Sequence, residues 1–277
     1  MEALFIEKKQ NLEDEDILVM SGTKLRHKYF AIKILKEVPR TVAIMEESPE
    51  DISRGYVKEP SITIREHFNS FVKTEKKYFE SYIKNNKDIL ESKLIKKIEN
   101  KKINQKENID YIKKLNPKLI SVHSTSLISE DLINEFPKRI INLHAGLSPY
   151  YRGSGTNVWP FYIKELEYVG MTIHYIDKVI DSGDIILQGR PKFEIGDNTH
   201  SIGCKNIILG TDLMIKVIRK YLEKGKLPSV KQNKKKGRLY LKKEFNDEVV
   251  KTINKYIDEG LISEYIKNPK EVELVQW

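Results

Sequence analysis

The stretch Ile140-Ile141-Asn142-Leu143-His144-Ala145-Gly146 carries two polar side chains, one residue apart, at the end of an apolar run. Residues two apart on a strand share a face, so Asn142 and His144 project together where the strand stops. An amide supplies hydrogen-bond donors for an oxygen that gains negative charge. An imidazole titrates near neutrality and can move a proton. The same pair also fits a strand-end asparagine capping a turn beside a surface histidine, and these residues alone leave both readings open. The single cysteine, Cys204, has no histidine near it in sequence and is not expected to act as a nucleophile. His27, His67, His123 and His200 show no metal-ligand spacing with cysteines or carboxylates, and no metal is expected. His174, in the middle of Thr172-Ile173-His174-Tyr175, reads as a hydrogen-bonded structural residue.

The elements that must position the pair are legible as alternating strands and helices. Ile17 to Met20 is an apolar run ending at Ser21-Gly22, and Leu25, Tyr29, Ile32 and Leu35 then recur at helical spacing. A second strand follows at Thr41 to Met45, completing a strand-helix-strand unit of the kind that builds parallel sheets, whose ligands bind at the carboxyl ends of the strands. From about His67 to Lys113 the pattern reads as an all-helical insertion. Strand character resumes at Leu119 to Val122, Ile140 to Leu143, Met171 to Ile176 and Ile185 to Leu187, and Ser201 to Leu222 reads as a helix. Beyond Gly225 the composition shifts to a lysine-rich linker, a short strand at Leu239 to Leu241 and a final helix at Asp247 to Tyr256. The expected fold is α/β, an open, mostly parallel twisted sheet with flanking helices. The expected division is a main domain over 1–224, with its insertion at about 67–113, and an extension over 225–277.

Composition narrows the classes. Hydrophobic residues make up 39% and charged residues 32% of the 277, as in a globular protein, and no apolar run approaches a transmembrane length. Met1 to Glu15 lack the features of a secretory signal, and one cysteine excludes an internal disulfide, so a cytoplasmic location is expected. The net charge of +9 is spread over lysines interleaved with glutamates, which argues against a nucleic-acid partner. The dense run Lys231 to Lys236 reads first as a solvated loop.

Two further stretches sharpen the picture. Leu147-Ser148-Pro149-Tyr150-Tyr151-Arg152-Gly153 follows the pair, and Ile180-Asp181-Ser182-Gly183-Asp184 lies downstream. With these motifs in this order, the run from Asn116 to about Leu222 resembles the folate-dependent formyltransferase domain. That domain is shared by glycinamide ribonucleotide transformylase, methionyl-tRNA formyltransferase and the sugar N-formyltransferases. The resemblance implies a Rossmann-like fold and a catalytic trio of Asn142, His144 and Asp181. It implies N10-formyltetrahydrofolate as co-substrate, held by the loop Thr125, Ser126, Leu127 and Ile128 and by Asp177 and Ile180. Where the family often has a bulkier or charged residue, this chain has Ser126.

The resemblance also ranks the amines. Glycinamide ribonucleotide enzymes carry a Gly-x-Gly-Ser-Asn phosphate loop after the first strand, and here that place reads Ser21-Gly22-Thr23-Lys24-Leu25-Arg26. Methionyl-tRNA enzymes carry a C-terminal barrel of about a hundred residues, longer than the 225–277 stretch. A nucleotide-linked amino sugar is therefore the expected substrate, with Lys24, Tyr150, Arg152 and the Lys234 to Arg238 stretch as candidate contacts and a homodimer as a candidate assembly. A formyl-folate binder that has lost catalysis on the same fold is the alternative from another class.

Overall fold

The computed structural model describes residues 16–51, 53, 56, 58–233 and 235–277. Met1 to Glu15 and Lys234, weighed above, lie outside the described residues. The first apolar run forms β1 (Ile17–Ser21), every residue of which is buried. Helix α1 (Leu25–Glu37) follows and stops before Pro39, and the chain returns through β2 (Thr41–Glu46). The long helix α2 (Ile62–Lys84) starts at Ser61, whose hydroxyl accepts from the Ile64 N–H. Then come α3 (Lys87–Leu90), β3 (Ile95–Ile98), α4 (Lys106–Leu115), β4 (Leu119–His123), α5 (Glu130–Glu135) and β5 (Ile140–His144). The second half contains β6 (Tyr151–Gly153), α6 (Trp159–Ile163), β7 (Met171–Tyr175), β8 (Ile185–Gly189), α7 (Thr199–Lys224), β9 (Arg238–Tyr240), α8 (Asp247–Asp258) and α9 (Leu261–Lys267).

Seven strands make one sheet in the order β3-β2-β1-β4-β5-β7-β8. The first five run parallel, while β7 is antiparallel to β5 and β8 to β7. Alternation along each strand splits the core into two faces. Ile17, Val19, Ile141 and Leu143 pack with α1, α2 and α7, and Leu18, Met20, Ile120 and Ile140 pack with α4 and α5. β1 has β2 on one side and β4 on the other, so connections diverge there and leave a crevice at the strands' carboxyl ends. Among the described residues no helix is long and apolar enough to cross a membrane.

The sheet and its flanking helices match the expected α/β fold, with one difference inside the stretch expected to be all helical. Ile95–Ile98 is a strand, paired in parallel with β2 at the sheet edge. Leu94 and Ile98 sit four apart and therefore mimic one face of a helix. The run is only four residues long, and spacing alone cannot separate strand from helix at that length. A smaller apolar cluster joins α2, β6 and α6 to Tyr240, Phe245 and Val249 from the C-terminal segment. β9 pairs in parallel with β6, setting Leu239 opposite Arg152.

Candidate active site

β5 delivers Asn142 and His144 to the same face, and its antiparallel neighbour β7 places His174 opposite Asn142 and Thr172 opposite His144. Cross-strand partners on one face sit about 5 Å apart at Cβ, close enough for the side chains to meet. The Asn142 Nδ2 lies 3.2 Å from His174 Nε2, and His174 Nδ1–H donates to the Tyr175 carbonyl at 2.7 Å. That second bond keeps a proton on Nδ1, and Nε2 is shared between the Asn142 amide and an Asp181 oxygen.

Asp181 enters from the turn before β8 with φ of +49°, a left-handed conformation that aspartate tolerates better than bulkier residues. One carboxylate oxygen lies 3.4 Å from His144 Nδ1 and accepts from the Gly153 N–H at 2.9 Å. The other lies 3.5 Å from His174 Nε2. Burial alone would raise this carboxyl, but His144, then His174 and the Gly153 N–H outweigh it and hold it below the ordinary aspartate range. Asp181 therefore stays ionised between two imidazoles. His144 Nε2–H donates to the Tyr151 carbonyl at 2.9 Å, leaving Nδ1 to face the carboxylate.

Two glycines make this packing possible. A Cβ on Gly146 would fall 2.9 Å from both His144 Nε2 and the Tyr151 carbonyl, so only glycine lets the loop cross the imidazole. At Gly183 it would fall 1.9 Å from the Tyr175 carbonyl. Gln232, from the C-terminal segment, clips the same turn by donating to the Asp181 and Gly183 carbonyls at 3.0 and 2.6 Å. Gly183→Ala must push the Asp181 turn off β7. The expected result is a loss of about 1–3 kcal/mol in urea unfolding, with turnover falling further than stability explains.

Asn142, His144, His174 and Asp181 line a cavity of about 780 Å³. Thr125, Ser126, Leu127, Ile128, Asp177 and Ile180 all line it with Asn142, His144 and Asp181. The loop after β4 is held by buried Glu46, which accepts from the Ser126 N–H at 2.6 Å and the Ile103 N–H at 3.1 Å. Lys24, Tyr150 and Arg152 are not among the lining residues. Lys24 Nζ donates to the Glu50 carbonyl at 2.9 Å, Tyr150 packs on Tyr168 with ring centroids 4.7 Å apart, and the Arg152 Nε is buried on β6 without a hydrogen-bond partner. Cys204 is buried in α7, where burial pushes its thiol up to about 12, so it has no nucleophilic character at neutral pH.

From the sequence, His174 reads as structural, His67 and His200 stand out only as histidines without metal-ligand spacing, and Glu46 carries no signal. His174 does make a structural hydrogen bond, but its other nitrogen belongs to the Asn142–Asp181 cluster. Only the β5–β7 pairing reveals this, because two strands adjacent in space need not be adjacent in sequence. Burial lowers His67 from 6.5 to about 3, and His123 and His200 to about 4. Such groups bind protons when the chain unfolds, so the folded state loses stability as pH falls below 6.5, progressively down to their folded values. The thermal midpoint is expected to drop across pH 6.5 to 4, and replacing His67 and His200 with phenylalanine should flatten the drop.

Residues 57–218 match the model of the formyl transferase family. Among curated relatives, the methionyl-tRNA formyltransferase of Syntrophomonas wolfei is 30% identical over 165 residues, covering 58% of this chain and 52% of that protein. The chain thus spans about half the length of the curated relatives it matches. Among solved structures, an N-formyltransferase from Helicobacter canadensis, in complex with folinic acid and dTDP-3-aminofucose, superposes with a TM-score of 0.55 at 19% identity. The superposition covers 86% of this chain and 79% of that one. Phosphoribosylglycinamide formyltransferase from Streptococcus pneumoniae gives 0.52 at 16% identity, over 75% and 99% of the two chains. At these identities the structural likenesses establish the shared fold, whereas the family model covers more than half of the chain and includes β5, β7 and the Asp181 turn: the chain belongs to the formyl transferase family.

Proposed function

We propose that this protein transfers the formyl group of N10-formyltetrahydrofolate to a primary amine, and that the amine belongs to a nucleotide-linked amino sugar. The observation that carries the reaction is the Asp181 carboxylate lying between the imidazoles of His144 and His174, beside the Asn142 amide, in the floor of one cavity. The amine attacks the formyl carbon, forming a new C–N bond and a tetrahedral centre with negative oxygen. In this reading the Asn142 amide donates to that oxygen. Because Asp181 sits below the ordinary range, it is a poor proton acceptor and acts by its charge. His144 carries the proton instead: Nδ1 faces the carboxylate, which stabilises the imidazolium once the amine's proton arrives. The bond from the formyl carbon to N10 then breaks, and the proton passes to N10. No covalent enzyme intermediate is required.

The folate-side reading rests on the loop after β4 and on the Asp177 to Ile180 turn, which both line the cavity. Leu127 is 73% and Ile180 44% exposed there, an apolar pair suited to the flat face of a pterin or aryl group. The amino-sugar reading rests on the missing phosphate loop after β1 and on fold neighbours such as the Helicobacter canadensis enzyme. The similarity to methionyl-tRNA formyltransferases favours a second reading, tRNA-linked methionine, although the match spans about half of those proteins. Incubation with labelled N10-formyltetrahydrofolate and a panel of thymidine and uridine diphosphate amino sugars, glycinamide ribonucleotide and methionyl-tRNA tests both. Label on an amino sugar supports the first reading, and label on methionyl-tRNA alone replaces it with the second.

A further inference from the structure

The cavity has a second wall that the folate loops do not supply. His67 on α2 and His200 in the first turn of α7 bring their rings together with centroids 4.6 Å apart. His67 packs against Phe68 and Phe245, and His200 against Phe71, with centroids 5.2 to 5.7 Å apart. Among the described residues, no side chain hydrogen-bonds to either imidazole, although both rings line the cavity. Burial keeps both uncharged at neutral pH, so each presents one N–H and one lone pair in aromatic surroundings. Their nitrogens open to the cavity, where a ligand can hydrogen-bond to them.

The lining cations narrow what that ligand is. Arg26 is committed to Glu75, which is 2% exposed, and lies over the Phe71 ring at 4.9 Å. Lys178 pairs with Glu130 at 2.9 Å. Neutral imidazoles and a neutralised guanidinium do not make a phosphate subsite. They suit an uncharged ring that carries both hydrogen-bond donors and acceptors. We propose that His67 and His200 are the specificity-determining contacts for the acceptor, hydrogen-bonding its neutral polar ring, whether sugar or base, on the side of the cavity away from the folate loops. Lys242, a lining cation with no ion pair among the described residues, is left to face the acceptor's anionic group. This assignment deepens the formyl-transfer reading and rests on it.

The test uses His67→Phe, His200→Phe and the double variant, because phenylalanine keeps the ring packing and removes the nitrogens. Losing one hydrogen bond to the acceptor corresponds to a rise of up to about tenfold in the acceptor KM. The expected result is such a rise for each single variant, a larger one for the double variant, and a KM for N10-formyltetrahydrofolate within about twofold of wild type. Weaker dTDP binding in the double variant, by calorimetry, would assign the pair to the base. Unchanged dTDP binding with a raised amino-sugar KM would assign it to the sugar. An unchanged acceptor KM, or equal rises for acceptor and folate, overturns the proposal. If wild type formylates only an amine that is not nucleotide-linked, the amino-sugar reading fails, and the same KM comparison on that amine still decides the role of the two histidines. If wild type formylates nothing, the formyl-transfer reading fails, and unaltered affinity of the double variant for the intact dTDP and UDP amino sugars then overturns the histidine assignment as well.

Discussion

Asn142→Ala and His144→Ala are each expected to lower kcat by about a hundredfold or more, the loss typical of removing one donor that acts on a developing oxyanion. Asn142 is only half-buried, and its amide meets one neighbour, His174 Nε2. Its removal therefore empties little volume, and the fold should survive. His144 is more enclosed, with both ring nitrogens engaged by the Tyr151 carbonyl and by Asp181. Its alanine variant should also lose stability, so His144→Asn, which keeps a polar group at that place, is the better measure of the chemical loss. Stopped turnover with a circular dichroism spectrum like that of wild type is the expected outcome. Near-normal kcat in either Asn142→Ala or His144→Asn would remove that residue from the reaction.

Asp181→Asn should abolish most activity while leaving folate affinity nearly unchanged, because the amide keeps the volume and removes the negative charge that lies beside the His144 imidazole. Its pH signature is distinctive. The carboxyl is held below its usual range in the folded state, so it stabilises the fold above the range where an unfolded aspartate titrates. That stability disappears as pH falls through the depressed folded value. The gap in thermal midpoint between wild type and Asp181→Asn should therefore be widest near neutrality and close under acid. Asp184→Asn is the control, since Asp184 lies outside the cavity lining and its backbone carbonyl accepts from the Tyr175 N–H. If the control variant loses turnover and Asp181→Asn keeps it, the catalytic carboxylate is Asp184.

Most of the sheet was legible because six of its strands are apolar runs bounded by turns, and burial on both faces demands such runs in a parallel sheet. β3 was not legible, since its four residues continue the helical spacing of the helices around it. β6 escaped for another reason: Tyr151-Arg152-Gly153 becomes a strand only by pairing with β9, more than eighty residues later, and no local pattern encodes that partnership. At the site, the period of two was enough to place Asn142 and His144 side by side. Asp181 came from the family motif, because its left-handed turn has no periodic signature. His174 was visible as a residue, but its role depends on which strand lies next to β5. The likeness to a family similarly pointed to Lys24, Tyr150 and Arg152, whereas the cavity is lined by their neighbours Arg26 and Gly153. In a strand or a helix turn, a step of one or two residues is enough to turn a side chain away from a ligand.

In the proposed reaction a formyl group leaves N10-formyltetrahydrofolate for an amine at the Asn142, His144 and Asp181 cluster. The most direct measurement follows a carbon-13 formyl label by NMR, with wild type and Asn142→Ala side by side and a thymidine diphosphate amino sugar as acceptor. Wild type is expected to give a new formamide carbonyl resonance that grows with enzyme and time, together with release of tetrahydrofolate, and Asn142→Ala a rate about a hundredfold lower. A label that stays on folate with every amine offered, or that moves at equal rates in the two proteins, would contradict the proposed reaction.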